Sequence, residues 1–395
     1  MIYRKLGNDE NIIRIGQKYF TVNDFTLKLI LAYNQHEDLK SLSCELGFLE
    51  DDTQKLYDEL NFALKNSGYT EEDIELKTPL KVQWRLTDLC NLQCKHCYLG
   101  TKSNMELSSD KLIEIADKII AANVMEVTIT GGEPLLVQVL PEIIKKFLNA
   151  NMLINIFTNA IFIESLLSKL EKVANKENLR FNISIDGLKE THESIRGIGT
   201  YEKLIDSIKF LVKEGFFVTT NTTLTAINFT DIPRLILEMK RLGVKTFQIS
   251  NLVNLGWATE NNYLKMDKEK TLLFETQIAE LTNVCKDGFR FLYSPLPNEE
   301  ISDNPTVFKF EEGVKEKIGT DMWRCGAGKG KVTISVNGDV LCCPFFNKYI
   351  IGNIMEDSLE NIWMNPQRKE FVKYLNKVNG RKRICAALKG AYNVC

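Results

Sequence analysis

The sequence predicts an α/β chain: a parallel sheet, open or rolled into a partial barrel, with a small winged-helix-like domain before it and a cysteine-bearing tail after it. Two observations carry this. β-Rich runs at 81–87, 125–130, 153–158, 180–185, 216–222 and 245–249 alternate with helix-like segments at 108–121, 138–149, 163–175, 201–214 and 231–241. That is the rhythm of strands joined by helical crossovers. Residues 1–80 carry 9 Lys and Arg against 15 Asp and Glu, while the rest carry 41 against 37. An acidic module therefore precedes a nearly neutral body.

Within the first module, residues 11–21 (NIIRIGQKYFT) alternate as short strands about a Gly-Gln pair. Asn23 or Asp24 then caps a helix to Tyr33 whose apolar stripe is Phe25, Leu27, Ile30 and Leu31. A second helix over 38–46 stops at Gly47, and a third over 52–64 puts Leu56, Leu60 and Ala63 on one face. Residues 1–75 thus form the winged-helix-like domain, and the tract 66–80 reads as its linker. The β/α body occupies 80–255, with Gly215 and Gly243 where helices hand over to strands. Beyond residue 250 the rhythm fails. A bridging region (256–320) has one clear helix near 267–284, and the C-terminal domain (321–395) opens with a hairpin turning at Asn337-Gly338. The tail from Asn365 is basic and reads as a solvated face.

A chain of 395 residues with 44% apolar side chains can bury a large core. Its net charge of −2 excludes a broadly basic nucleic-acid binder and general attraction to a membrane surface. The start, MIYRKLGNDE, has no apolar signal core, and no window approaches ~18 uninterrupted apolar residues. The expectation is a cytoplasmic protein without nucleic-acid or membrane partners. Its ten cysteines then stay reduced, so their spacing speaks of metal chemistry or packing.

Cys90, Cys94 and Cys97, spaced CxxxCxxC, directly follow the first strand of the body. Three thiolates on one loop can hold three irons of a [4Fe–4S] cube and leave the fourth iron open. Zinc is the competing reading, but it wants a fourth ligand, and His96 next to Cys97 is poorly placed to wrap the same ion. The sequence here resembles the radical S-adenosylmethionine (SAM) enzymes, whose signature is this cysteine motif with an aromatic residue, Tyr98, behind it. Further matches fall at strand ends: Gly131-Gly132-Glu133-Pro134, then Thr158-Asn159, then Ser184 and Asp186, then Arg196-Gly197. The resemblance covers residues 81–250 and implies a partial (β/α)6 TIM-type barrel. It places Tyr98, Gly131, Gly132, Glu133, Asn159, Ser184, Asp186 and Arg196 around SAM. It also implies a 5′-deoxyadenosyl radical that abstracts hydrogen, with an electron supplied by a reductant such as flavodoxin or ferredoxin.

The tail resembles the auxiliary-cluster extensions called SPASM or, when shorter, twitch. Lys382 and Ala391 stand where a full SPASM domain has two of its cysteines, which leaves Cys325, Cys343, Cys385 and Cys395 for one auxiliary [4Fe–4S] cluster. Cys342, Cys44 and Cys285 read as packing residues. Gly326–Lys331 (GAGKGK) lacks the GxxxxGK[ST] spacing of a phosphate loop. The N-terminal module resembles the PqqD-like elements that capture leader peptides. Together these resemblances imply a sactipeptide-type maturase, forming thioethers in a Cys-containing ribosomally made precursor peptide. Peptide epimerisation, carbon–carbon crosslinking and sulfatase-type formylglycine formation are the enzymatic alternatives. An iron–sulfur electron carrier or redox sensor is the alternative of another class.

Overall fold

A computed structural model describes residues 2–7, 10–15, 18–22, 26–27, 30, 76–101, 106–170, 175–281, 289–293, 307–311, 314–318, 326–346 and 349–379. The chain divides into two compact units, Met1–Leu76 and Lys77–Cys395. In the first, β1 (Ile2–Gly7), β2 (Glu10–Ile15) and β3 (Lys18–Val22) form an antiparallel sheet in chain order. β2 and β3 pair up to Ile15↔Lys18, on either side of the expected Gly-Gln pair. β1 is a strand the sequence reading did not anticipate. Ile13, Leu27 and Ile30 pack together with Val22 against them. The expected helices over 38–46 and 52–64, and with them the winged-helix reading, lie outside the described residues.

The second unit opens with β4 (Lys81–Arg85), β5 (Glu126–Thr130), β6 (Leu153–Thr158), β7 (Leu179–Ser184), β8 (Phe217–Leu224) and β9 (Thr246–Asn251). Each pairs in parallel with the next. The crossovers carry helices Ser109–Ala121, Leu140–Asn149, Ile163–Lys169, Tyr201–Lys213 and Ile232–Arg241, all within the expected segments. A further helix, Lys189–Arg196, escaped the sequence reading because KETHESIR buries only His192 and Ile195 and so shows little apolar period.

The sheet runs past the expected six strands. β10 (Arg290–Tyr293) joins β9 in parallel, and β11 (Val307–Glu311) and β12 (Val314–Ile318) extend that edge antiparallel. On the other side β13 (Lys331–Ile334) lies parallel to β4, followed antiparallel by β14 (Asp339–Leu341) and β15 (Ile350–Asn353). Among the described residues this is a 12-stranded sheet in linear order, from β12 to β15. Its parallel centre is therefore open, not closed on itself. The auxiliary hairpin is part of the same sheet as the barrel strands. Lys118 strengthens that union by donating to the Ile354 and Met355 carbonyls at 2.7 and 3.3 Å.

In the tail the basic residues Lys369 and Lys373 are exposed, as a solvated face requires, while Arg368 is half-buried. Pro366–Asn379 is a helix that buries Phe371 and Leu375. Arg368 lies 4.0 Å over the Trp363 ring and donates to the Gly328 carbonyl at 2.7 Å. The guanidinium serves here as a flat packing surface and a fastener.

Side chains along the central strands alternate. Val82, Trp84, Val127, Ile129, Ile154 and Ile156 are fully or almost fully buried. Trp84 meets Phe147 of the helix Leu140–Asn149 edge-on at 6.4 Å, so this apolar row faces the helices. Trp84→Ala should destabilise the protein by about 3–5 kcal/mol, read as a lowered midpoint in urea; a change below about 1 kcal/mol would contradict the packing described.

Candidate active site

The opposite row of the same strands is polar. Gln83, Thr128, Thr130, Ser184, Asn221, Thr223, Ser250 and Asn251 line a cavity of about 610 Å³ at the C-terminal ends of the strands. Ser250 Oγ donates to Asn221 Oδ1 at 2.8 Å, tying β9 to β8. A lumen lined with amides and hydroxyls has not collapsed into a packed core and offers hydrogen bonds to a polar guest. Cys90, Cys94 and Cys97 line the same cavity, as do Tyr98, Gly131, Gly132, Glu133, Asn159, Ser184, Arg196 and Cys343.

The cysteine loop is held by unusually close backbone contacts. Gly132 N–H donates to the Thr87 carbonyl and Glu133 N–H to that of Leu89, both at 2.7 Å. A Cβ on Gly131 would lie 2.5 Å from Thr87 O, and one on Gly132 would lie 2.2 Å from Leu89 O. The paired glycines are therefore required by the approach of the cysteine loop. A second strap crosses the far side of the loop. Trp257 N–H donates to the Cys97 carbonyl at 2.9 Å, and Asn261 Nδ2 donates to Lys95 O at 3.1 Å. Gly256, at φ +55° and ψ −135°, packs so tightly that an added Cβ would fall 2.4–2.6 Å from Gly100 N, Tyr98 O and Cys97 O. Sequence reasoning missed Gly256; its only signal is an isolated glycine shortly after a strand.

Two buried carboxylates fasten the strand ends. Glu133 Oε1 accepts from Thr158 Oγ1 at 2.7 Å and Leu135 N at 3.1 Å, and Oε2 accepts from Asn159 N at 2.8 Å. Burial pushes Glu133 up to about 7 despite these bonds. Asn159 Nδ2 donates to Asn91 Oδ1 at 2.9 Å, so the end of β6 also grips the cysteine loop.

Asp186 is the second fastener, and it does not line the cavity. Its Oδ2 accepts from Arg196 Nε at 2.5 Å and His96 Nε2 at 2.6 Å, while Oδ1 accepts from Thr223 N at 2.9 Å. Its backbone N–H donates to His192 Nδ1 at 3.1 Å, and its carbonyl accepts from Asn228 Nδ2 at 3.1 Å. Burial alone would raise its pKa; the Arg196 guanidinium and His96 hold it well below the usual carboxylate range. Arg196 Nη1 in turn lies 3.7 Å from Cys94 Sγ. Burial pushes the free Cys94 thiol up to about 11 although Arg196 opposes this.

In the tail, Cys343 is buried beside the cavity, and Phe345 meets Tyr98 edge-on at 5.4 Å. Cys342 also lines the cavity, yet its Sγ sits under Gly328, 3.3 Å from where a Cβ there would be. The Gly326 carbonyl accepts from the amides of Lys329, Gly330 and Lys331 at 3.0–3.2 Å, so those amides turn inward and cradle no phosphate. Cys325, Cys385 and Cys395 lie outside the described residues.

The donor set fits an iron–sulfur cube. Three thiols line one wall of the cavity, whereas among the described residues no three His, Cys, Asp or Glu side chains group as ligands of a single ion. A cube takes one thiolate per iron, so its ligands need not converge on a point. Residues 84–239 match the radical SAM superfamily, and residues 325–387 match the SPASM iron–sulfur cluster-binding domain. The chain is a radical SAM enzyme with a SPASM domain. It uses a [4Fe–4S] cluster and SAM, and its auxiliary iron–sulfur domain is of the SPASM type. The SPASM match takes in Cys325, Cys343 and Cys385 and stops short of Cys395.

Known relatives span two substrate classes. The radical SAM enzyme is 26% identical over 319 residues to the AdoMet-dependent heme synthase of Methanosarcina barkeri, covering 78% of this chain and 88% of that one. It is 27% identical over 315 residues to the subtilosin biosynthesis protein AlbA of Bacillus subtilis, covering 78% of this chain and 64% of AlbA. In fold it resembles Streptococcus suis SuiB, solved bound to precursor peptide SuiA, with a TM-score of 0.61 at 17% identity. That likeness covers 94% of this chain and 88% of SuiB. Among the described residues no helix is long and apolar enough to cross a membrane.

Gly256→Ala should cost at least roughly 1–3 kcal/mol in backbone strain and lower the iron held by the cysteine loop, measured by iron assay after anaerobic reconstitution; full iron and an unchanged melting temperature would refute the second strap.

Proposed function

We propose that this radical SAM enzyme forms a thioether, sulfur to α-carbon, in a Cys-containing ribosomally made precursor peptide. The observation that supports a peptide is the small antiparallel sheet of the first unit, whose edge strands β1 and β3 suit the addition of a peptide strand. The likeness to peptide-bound SuiB covers 94% of the chain and so extends into this unit. On this reading residues 1–75 capture a leader, 80–255 form the radical SAM barrel, 256–320 bridge, and 321–395 form the auxiliary-cluster domain.

Cys90, Cys94 and Cys97 hold the cluster at the mouth of the cavity. When bound, the cluster and SAM supply a 5′-deoxyadenosyl radical, the hydrogen-abstracting agent. The amides of Gly132 and Glu133 already serve the cysteine loop, so this strap offers carbonyl oxygens, suited to an ammonium group. Tyr98, Ser184 and Asn159 border the same space, and Arg196 presents a guanidinium suited to a carboxylate. Glu133 and Asp186 hold these groups in place. Gln83, Asn221, Ser250 and Asn251 orient a polar substrate backbone while the sheet excludes water. Cys343 belongs to the auxiliary cluster with Cys325, Cys385 and Cys395. A tetrapyrrole substrate is the second reading, favoured by the similarity to a heme synthase. An electron carrier or redox sensor has no use for a 610 Å³ cavity beside the cluster.

Replacing Cys90, Cys94 or Cys97 by Ala should abolish reductive formation of 5′-deoxyadenosine. The unmutated protein should hold about eight irons and the triple variant about four; near-normal cleavage in any single variant would defeat the ligand assignment.

Deleting residues 1–75 should leave SAM cleavage intact but remove modification of a leader-bearing peptide at low concentration, followed by mass spectrometry. Equal rates with and without those residues would exclude leader capture, and turnover of a tetrapyrrole alone would favour the second reading.

A further inference from the structure

We propose that Asp186 is a positioning residue that sets the reduction potential of the SAM-binding cluster, by gripping His96 and Arg196 with one carboxylate oxygen and so fixing the guanidinium against Cys94. Asp186 has a partner for every polar atom it owns, and its side chain is fully shielded from solvent. It stands apart from the cavity, so it acts through its neighbours. His96 belongs to the cysteine loop, one residue before Cys97, and its bond to Asp186 spans 90 positions of sequence. The same oxygen orients Arg196 at 2.5 Å and leaves Nη1 turned toward Cys94 Sγ at 3.7 Å. One carboxylate thus aligns the loop and the cation beside one of its sulfurs. Lys95 N–H, donating to the Ile195 carbonyl at 3.0 Å, holds the two segments together independently of charge.

Charge decides the consequence. Reducing a cluster adds a negative charge, which a nearby cation favours and a nearby anion opposes. In a site shielded from water neither effect is screened as it would be at the surface. Arg196 therefore raises the potential, and Asp186 tempers that rise while keeping the guanidinium in place. Groups one step behind a ligand commonly tune a metal centre in this way. The inference rests on Cys90, Cys94 and Cys97 holding the cluster.

The test is a redox titration of the reconstituted full-length protein, following the EPR component that added SAM perturbs, with the titration itself run without SAM. Arg196→Gln should lower the potential, and Asp186→Asn, whose amide oxygen can still accept from Arg196 Nε while the negative charge is gone, should raise it. Each should change the reduced-to-oxidised ratio at a fixed potential at least tenfold, about 59 mV for one electron. Opposite signs distinguish tuning from simple damage, which would lower iron content in both variants alike. Arg196→Lys should recover most of the shift of Arg196→Gln, and this pair decides the matter if Asp186→Asn does not fold. Shifts of the same sign, or no shift in protein that keeps the SAM-responsive signal, would overturn the proposal. Absence of that signal from unmutated protein would instead overturn the ligand reading beneath it.

Discussion

Parallel pairing is the constraint on which the rest of this molecule depends. Because β4 to β9 all run the same way, every strand delivers its last residue and its following loop to one end of the sheet. Residues as far apart in sequence as Cys90, Glu133, Asn159, Ser184 and Asn251 meet there without any local signal bringing them together. The period-2 alternation of a strand does the rest. With helices covering one face, the apolar row is consumed by packing, and the polar row is left to line a lumen. The sheet thus makes a hydrophobic core and a polar cavity from the same residues.

A loop carrying three cysteines has little apolar surface with which to hold itself. It is held instead by backbone contact and buried charge. Gly131 and Gly132 let it approach β5, and Gly256 lets the segment after β9 close over its other side. Glu133 and Asp186 then link it to β6 and to the helix ending at Arg196. The two carboxylates respond to burial in opposite ways. Glu133 meets only neutral donors in direct contact, and desolvation lifts its pKa; Asp186 faces a guanidinium and a histidine, whose attraction overcomes the same penalty. His192, driven down to about 3 chiefly by burial, stays neutral and accepts the Asp186 amide proton.

Much of this was legible in the sequence. The six strands of the barrel show because each is a short apolar-alternating run bounded by helix-forming segments. The cysteine triplet shows because its spacing is dictated by local loop geometry. The helix Lys189–Arg196 did not show, since two buried residues in eight make no period. Nor did the union of β13 with β4, because pairing between Lys331 and Lys81 leaves no mark in either segment. The packed side of the tail helix did not show for a related reason: Phe371 and Leu375 are buried on a helix whose Lys369 and Lys373 are exposed, and a basic run does not reveal its partner surface.

The sequence by itself determined the class of fold, the CxxxCxxC spacing of Cys90, Cys94 and Cys97, and the strand ends that border the cavity. Each depends on residues near one another in the chain, where backbone geometry and hydrophobic period act directly. Only the tertiary structure decided which of those residues face the cavity and which stand behind it. The family resemblance puts Asp186 beside the cofactor, yet in the fold its carboxylate is bonded to Arg196 and His96 and does not line the cavity. Whether a polar side chain binds a ligand or braces its neighbour depends on which charges the fold brings within hydrogen-bonding reach, and long-range packing sets those distances.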